Sequence, residues 1–501
     1  MIKFGFDFGT TNSVVTTFDP EQETQFQFET LLGLDGSPLP SAIALRKGEF
    51  LFGEEARALA AAANYEESSQ AILDPKRLIG SGRINIGGKE INAVELVAMY
   101  LSHAKTKFET LGHTRFDMKS VTATVPIAMD GLRRQSLRES FRIAGLEVEA
   151  FVTEPLAGLL ACLREGYLKE FDLNAERRVL VIDWGGGTLD LTLCQVGRIQ
   201  KTGPFGIKQL LSDGTTFAHG VGGFEFDKAI VNFVTTKNAI NQPSESDRNA
   251  WLIGAEKARI FLSSFDEPSY LMETPVGRIQ VSREDLIQAG GIILDRAADF
   301  IGNFVHQIEA KGREIDFVLA IGGMSKYFDI KNWLFEKFGR RIQNFYANDG
   351  QIAVAKGASL ISGLELPIRV ADTIELRTKG THSFSKIFTP GSALPQESSS
   401  PWTTNELYCT DASSGFARIQ ICAPTWLDSY SPRDAYRDRR ELCTIDVPVS
   451  RDFELIRFRH GLDRNAIFTF QAGSATSTSV VEREVSSVNF EVEAPFLGSY
   501  P

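Results

Sequence analysis

The sequence predicts an α/β fold over residues 1–362, with two lobes and the second lobe starting near 179. A linker follows at 363–369 and a β-sandwich at 370–501. Three observations predict this. First, three short apolar strands run directly into acidic or glycine residues. Lys3-Phe4-Gly5-Phe6 leads into Asp7–Ser13, Val179–Ile182 into Asp183–Asp190, and Phe317–Ile321 into Gly322–Lys326. Apolar runs of this length closed by turn signals read as buried strands. Second, helical segments lie between these strands, and alternation of strand and helix indicates an α/β architecture. Third, from about residue 367 the chain becomes rich in Ser, Thr and Pro, with short alternating segments such as Phe416–Ile421, Cys443–Val447 and Ala466–Phe470. Short strands between polar turns indicate a sandwich.

Composition narrows the function classes. The 501 residues are 43% hydrophobic and 23% charged, which excludes a mainly disordered chain. The formal net charge of -11 argues against a nucleic-acid partner, because phosphate neutralisation needs clustered Lys and Arg. No apolar run reaches about 18 residues, so no membrane span is expected. The start, Met1–Asp7, has no basic segment followed by an apolar core, so no secretion signal is expected. Five cysteines without C-x-x-C spacing favour a reducing, cytoplasmic setting over disulfides or zinc. The G-x-x-x-x-G-K-[ST] phosphate loop is absent, so any nucleotide must sit in another cradle.

The elements follow from local signals. Residues 131–144 read as a helix with Asp130 as N-cap and Gly145 as the stop. The arginines at 133, 134, 138 and 142 read as a solvated face of it. Residues 250–263 read as a second helix that aligns Glu256, Arg259 and Ser263 on one face. Gly363-Leu364-Glu365-Leu366-Pro367 is the linker candidate, and no long helix is expected after 480.

The two D-x-G segments at Asp7 and Asp183 carry the chemistry. Glycines let backbone N–H groups approach phosphate oxygens, and threonine hydroxyls add donors. A carboxylate at each strand end can hold hydrated Mg²⁺ against a polyphosphate. One glycine turn after a strand is ordinarily only a turn. Two with matching carboxylates, plus Gly322-Gly323, suggest two related halves facing one nucleotide.

These motifs resemble the DnaK-type, seventy-kilodalton heat-shock chaperones, whose ATPase domain is actin-like (ribonuclease-H-like). The matching segments are Asp7–Ser13, Asp74–Gly80, Ile143–Val148, Thr153-Glu154-Pro155, Asp183–Asp190, Gly222–Asp227, Ala255–Arg259 and Val318–Ser325, in family order. Lys76-Arg77-Leu78-Ile79-Gly80 and Ile143–Val148 are the most specific, and favour a chaperone over an actin or a sugar kinase. In the tail, Pro390–Pro395 and Ile456–Phe468 resemble, more loosely, the family's substrate-binding sandwich, and the helical lid that follows in the family is not evident.

The resemblance implies an ATPase that binds ATP/ADP with Mg²⁺ and has a place for K⁺. Asp7 and Asp183 would hold the hydrated metal through water, and Asp190 the potassium. Gly9, Thr10, Thr11 and Asn12 would line one phosphate loop, and Gly185, Gly186, Gly187 and Thr188 the other. Thr10 and Thr188 would place the attacking water, Lys76 would stabilise charge on the γ-phosphoryl, and Glu154 would orient water or the metal shell. Glu256 and Arg259 would meet the ribose and Ser263 the adenine, and Gly222, Gly223, Gly322, Gly323 and Lys326 would complete the nucleotide-binding set. Phe384 and Phe388 fall where the family lines its peptide groove, although aromatics in a sandwich are more often core.

Departures modify these expectations. The family sandwiches adenine between two arginines, and Ile260 and Lys326 stand at those positions, so purine stacking should weaken and ATP should bind less tightly. Ala150 replaces an arginine that contacts the J-domain co-chaperone in bacterial members. A standard J-domain partner is therefore not implied, and a dedicated co-chaperone is left open. The expected function is a monomeric DnaK-like chaperone in which ATP hydrolysis controls peptide or protein binding by the sandwich. The alternative is a nucleotide-sensing scaffold with little turnover that docks one partner.

Overall fold

The computed structural model describes residues 2–22, 29–31, 38–62, 70–111, 117–166, 176–198, 204–215, 219–244, 247–343, 352–377, 384–395, 402–424, 439–486 and 488–499. The chain divides into two units. One holds residues 1–172, 177–192 and 213–365, and the other 173–176, 193–212 and 366–501. The division passes inside the strand Leu189–Arg198.

The first unit is α/β, as the alternation predicted. One of its sheets runs in the order Glu147–Thr153, Ser120–Val125, Lys3–Phe8, Asn12–Phe18. The first three strands are parallel and the last is antiparallel. The strand Lys3–Phe8, read in the sequence from Lys3–Phe6, is buried at Phe4, Phe6 and Phe8, and Phe6 meets Phe141 edge to face at 5.2 Å. A second parallel ladder pairs Arg177–Trp184 with Phe317–Ile321, bringing Asp183 opposite Ile321. Each sheet thus ends a buried strand at an aspartate.

Two helices lock this unit with almost no side chain between them. A Cβ on Gly357, in the helix Ala353–Gly363, would overlap the Ala157 carbonyl of the helix Glu154–Arg164. A Cβ on Gly5 would likewise overlap the backbone at Ala355 and Ser359. Glycine at these positions lets two helices and the first strand approach to backbone contact. Pro155 fits the first turn of its helix, where no N–H is needed.

The helix expected over 131–144 is Gly131–Ile143, and Asp130 caps it by accepting from the Arg133 N–H at 2.9 Å. Its arginines depart from the solvated reading. Arg133 and Arg142 are exposed, but Arg134 and Arg138 are buried. Arg134 donates to the Met129 carbonyl at 2.9 Å. Arg138 donates to the Val148 carbonyl and stacks on Phe151 at 4.8 Å. Carbonyls of the turn before the helix and of the strand after it supply acceptors that a pattern along one helix does not reveal.

The second unit contains the sandwich. One antiparallel sheet runs Phe384–Phe388, Ile374–Arg377, Phe416–Pro424, Arg439–Pro448, and the other Thr403–Tyr408, Leu455–Leu462, Phe468–Ser474, Val481–Val485. The sheets meet along Arg439–Pro448. Along Leu455–Leu462, Ile456, Phe458, His460 and Leu462 are buried while Arg457 and Arg459 are exposed, the alternation of a half-buried strand. Phe388 meets Phe468 edge to face at 4.8 Å, and the Arg439 guanidinium lies 5.0 Å over Phe384. Both aromatics expected in a peptide groove are therefore half-buried against neighbours of their own sandwich. Among the described residues after 366 there is no α-helix.

Replacing Gly357 by Ala forces a methyl into the Ala157 carbonyl, an overpacking worth about 1–3 kcal/mol. Urea unfolding of the full chain should show an earlier midpoint for the first unit's transition. An unchanged midpoint contradicts the backbone-contact packing.

Candidate nucleotide and metal site

Asp7 and Asp183 line the same cleft, a space of about 1310 Å³ counted to its open mouth. The loops that follow them meet there. The Thr11 hydroxyl occupies the place a side chain on Gly186 would need, and a Cβ on Gly222 would stand 2.5 Å from the Gly187 carbonyl carbon. Gly322 has φ +83°, and a Cβ on it would lie 2.5 Å from the Trp184 carbonyl oxygen. These close approaches account for three glycine turns at once. The third strand's turn folds onto the second strand's end, beside Asp183.

The second loop is tied to a helix start. The Gly223 and Phe224 N–H groups donate to the carbonyls of Gly185 and Gly186 at 3.2 and 2.8 Å. Gly222 and Gly223 thus back the loop from the start of the helix Gly223–Lys237.

Lys76 is buried and donates to Glu154 at 2.7 Å. Glu154 begins its helix, so it serves as a first-turn acid and as the lysine's partner together. The neighbouring Arg77 bonds Asp74 at 2.8 Å and lies 3.8 Å from Glu225. Arg77 and Lys228 both sit over the Phe224 ring, at 5.1 and 4.7 Å. This clasp fixes the turn that carries Lys76 to the helix behind the Gly185–Thr188 loop.

Acids outnumber the lysine. Burial raises Asp7 to about 7, with Glu154 adding, while Lys76 and the Thr124 hydroxyl at 2.8 Å oppose. Burial raises Asp190 to about 8, again with Glu154 adding, against the Ile127 N–H at 2.9 Å and Lys76. Burial, then Glu154, Asp190 and Asp7, push Asp183 well above the ordinary range. Lys76 keeps its ammonium against burial because Glu154 and Asp7 face it. Asp190 Oδ1 is buried with no hydrogen-bond partner.

Four carboxylates around one ammonium suit a cation, and an orphaned buried carboxylate oxygen fits one as well. Among the described residues no group of three or more His, Cys, Asp or Glu is placed to hold a metal alone. A metal here would complete its shell from water and a ligand, the usual habit of Mg²⁺.

Gly9, Thr10, Thr11, Asn12, Gly185, Gly187, Thr188, Gly323, Glu256 and Arg259 line the same cleft. Ser263 and Lys326 line the adjoining cavity, which shares Asn12, Glu256, Arg259 and Gly323 with it. The residues expected to meet a nucleoside are engaged with protein partners. Glu256 is paired with Arg57. Arg259 makes two bonds to Asp227, at 2.8 and 3.0 Å, and a third to the Met324 sulfur at 3.1 Å. Burial raises Asp227 to about 6, with Arg259 opposing. Ser263 donates to the Arg259 carbonyl at 2.7 Å. Ile260 is half exposed and lines both cavities. Arg57, Asp227 and Thr124 were not foreseen. Asp227 ends the Gly222–Asp227 motif and could have been flagged as an acid facing Arg259. Arg57 lies in an alanine-rich helix with no local signal.

The family profile described as Hsp70 protein matches residues 82–378, more than half of the chain. The chain belongs to the Hsp70 family. Its architecture is accordingly that of actin-like ATPase lobes with a C-terminal β-sandwich. This Hsp70-family chain is 29% identical to chaperone protein DnaK of Picrophilus torridus over 81% of its own length and 65% of that protein's. It is 26% identical to DnaK of Mycoplasmopsis pulmonis over 97% of itself and 79% of the relative. It therefore spans just under two thirds of the first of these relatives. No helix among its described residues is long and apolar enough to cross a membrane.

The crowded carboxylates set a pH dependence. Asp7 and Asp190 bind protons more tightly folded than unfolded, so their contribution to stability is full below about 3.8 and lost as pH rises through about 7 to 8. Without ligands, the melting temperature should fall between about pH 5.5 and 8.5, and Asp190→Asn should flatten that slope. An equal or steeper slope in Asp190→Asn contradicts the assignment.

Proposed function

We propose that this Hsp70-family chain is a slow ATPase of the DnaK type, in which the nucleotide state of the cleft governs binding of a peptide or protein client by the sandwich. The observation that carries the reading is the buried Lys76–Glu154 pair among Asp7, Asp183 and Asp190, set between two abutting glycine loops. The family relation supports ATP and ADP as ligands and a peptide or protein as the client.

The residues divide the work. Backbone N–H groups and hydroxyls of Thr10–Asn12 and Gly185–Thr188 cradle the phosphates from both sides. Asp7 and Asp183 would hold Mg²⁺ through water, and Asp190, with its unmatched oxygen, would hold K⁺. Bound Mg²⁺ would offset phosphate charge and oppose the upward shift of Asp7 and Asp183. Thr10, Thr188 and Glu154 orient a water in line with the γ-phosphorus. The bond from that water to phosphorus forms as the bridge to ADP breaks, and the water's proton passes to a carboxylate. Lys76, held charged by Glu154, stabilises the negative charge on the transferring group. Positioning and charge supply the catalysis, so the fixing of the Lys76 turn by Arg77 matters to rate. On the nucleoside side, Ile260 presents an aliphatic face and Arg259 is bound to Asp227, so the base gains little from guanidinium stacking.

Lys76→Ala should lower steady-state phosphate release by about 100-fold or more, the usual scale for one electrostatic donor at a reacting centre. Circular dichroism should confirm that the variant is folded. Equal rates in wild type and variant would remove the ATPase reading and leave a scaffold.

A further inference from the structure

One stretch of sheet joins four neighbouring strands from distant parts of the chain. Its order is Phe205–Gly214, Phe490–Glu493, Ile368–Val370, Ser392–Ala393. The strand Phe490–Glu493 lies inside this sheet, antiparallel to both neighbours.

Its register is fixed by two adjacent rows of unlike chemistry. Ile207, Val492 and Ile368 form an apolar row, all three buried. Lys208, Glu491 and Arg369 form the next row, one acid between two bases. A slip of one residue that brought Val492 between the two cations would carry Glu493 into the apolar row. The ends are also tied. The Ala494 N–H donates to the Phe205 carbonyl at 2.8 Å, and the Phe490 N–H donates to the buried Gln209 side chain at 2.8 Å. The Ala371 N–H donates to the Asn489 carbonyl at 2.9 Å. Asn489 in turn donates through its backbone and side chain to Asp372, which is fully buried. Arg369 bridges Glu493 and the Gly391 carbonyl, at 2.9 and 3.0 Å.

We propose that residues 489–494 are a strand clamp, an intrachain occupant of the open edge of Phe205–Gly214 that binds residues 205–209 and 367–372 into one element in every nucleotide state. An uncovered edge would be a docking site for any extended peptide, and this segment fills it in cis. The segment just after the linker candidate is thereby held on its inner side by a strand that cannot leave without exposing Val492 and Glu491. The clamp does not rest on the nucleotide reading above.

Hydrogen exchange read by mass spectrometry on the full chain tests the clamp, run without nucleotide, with ADP and Mg²⁺, and with ATP and Mg²⁺. Amides of 206–208 and 490–494 should be protected by about 1,000-fold or more in all three conditions. Rapid exchange at these amides in any one condition overturns the clamp. Glu491→Lys, which places three cations in one row, should abolish protection at 206–208 while calorimetric ATP binding stays within about twofold of wild type. Intact protection in Glu491→Lys overturns the register argument. Should ATP fail to bind wild type, the nucleotide reading falls, and protection without nucleotide still decides the clamp.

Discussion

In the cleft of the first unit, Asp7, Glu154, Asp183 and Asp190 act on one another and share a single buried ammonium, that of Lys76. Buried like charges either take up protons or recruit cations. The upward shifts of Asp7, Asp183 and Asp190 are in the direction of the first outcome, and a cation-bearing polyphosphate would supply the second. The rest of the site serves this imbalance. Thr124 and the Ile127 N–H direct one oxygen each of Asp7 and Asp190, and Glu154 keeps Lys76 in place between them.

Holding that cluster together requires close backbone packing rather than large side chains. Gly5, Gly186, Gly222, Gly322 and Gly357 each sit where a Cβ would overlap a neighbouring backbone or loop. The first strand, the two connecting helices and the three turns therefore have little freedom to shift independently. The Arg57–Glu256 pair and the Arg77 clasp add charged links between the helices Gly53–Ala61 and Arg248–Ser264 and between the Lys76 turn and the helix Gly223–Lys237. Such links are breakable, as ion pairs at a cleft mouth must be if ligands are to enter.

Much of this was legible in the sequence because its physics is local. A buried strand ending in D-x-G announces itself by an apolar run and a turn, and the Asp130 cap and Pro155 helix start need only neighbouring residues. The shift to alternating segments after 367 marked the sandwich for the same reason. What stayed hidden depends on pairings outside the element concerned. Arg134 and Arg138 looked like a solvated face because the carbonyls they satisfy, at Met129 and Val148, lie in the turn before the helix and the strand after it. Arg259 looked like a ribose contact because Asp227 lies one helix away. The strand Phe490–Glu493 is four residues long and finds its partners near 207 and 369, so no periodicity could assign it. Phe384 and Phe388 illustrate the same limit: a resemblance placed them in the sandwich, but their packing against Arg439 and Phe468 was not visible.

The central claim is that the carboxylates at 7 and 183 jointly hold one metal–nucleotide unit. Isothermal titration of ATP into the wild-type chain, with and without Mg²⁺, and into Asp7→Asn and Asp183→Asn, tests it most directly. The account predicts one site per chain, dependence on Mg²⁺, and a loss of affinity of about tenfold or more in each variant, with the double variant losing little beyond the singles because both act on the same metal. Independent, fully additive losses, or binding indifferent to Mg²⁺ and to both substitutions, would contradict it.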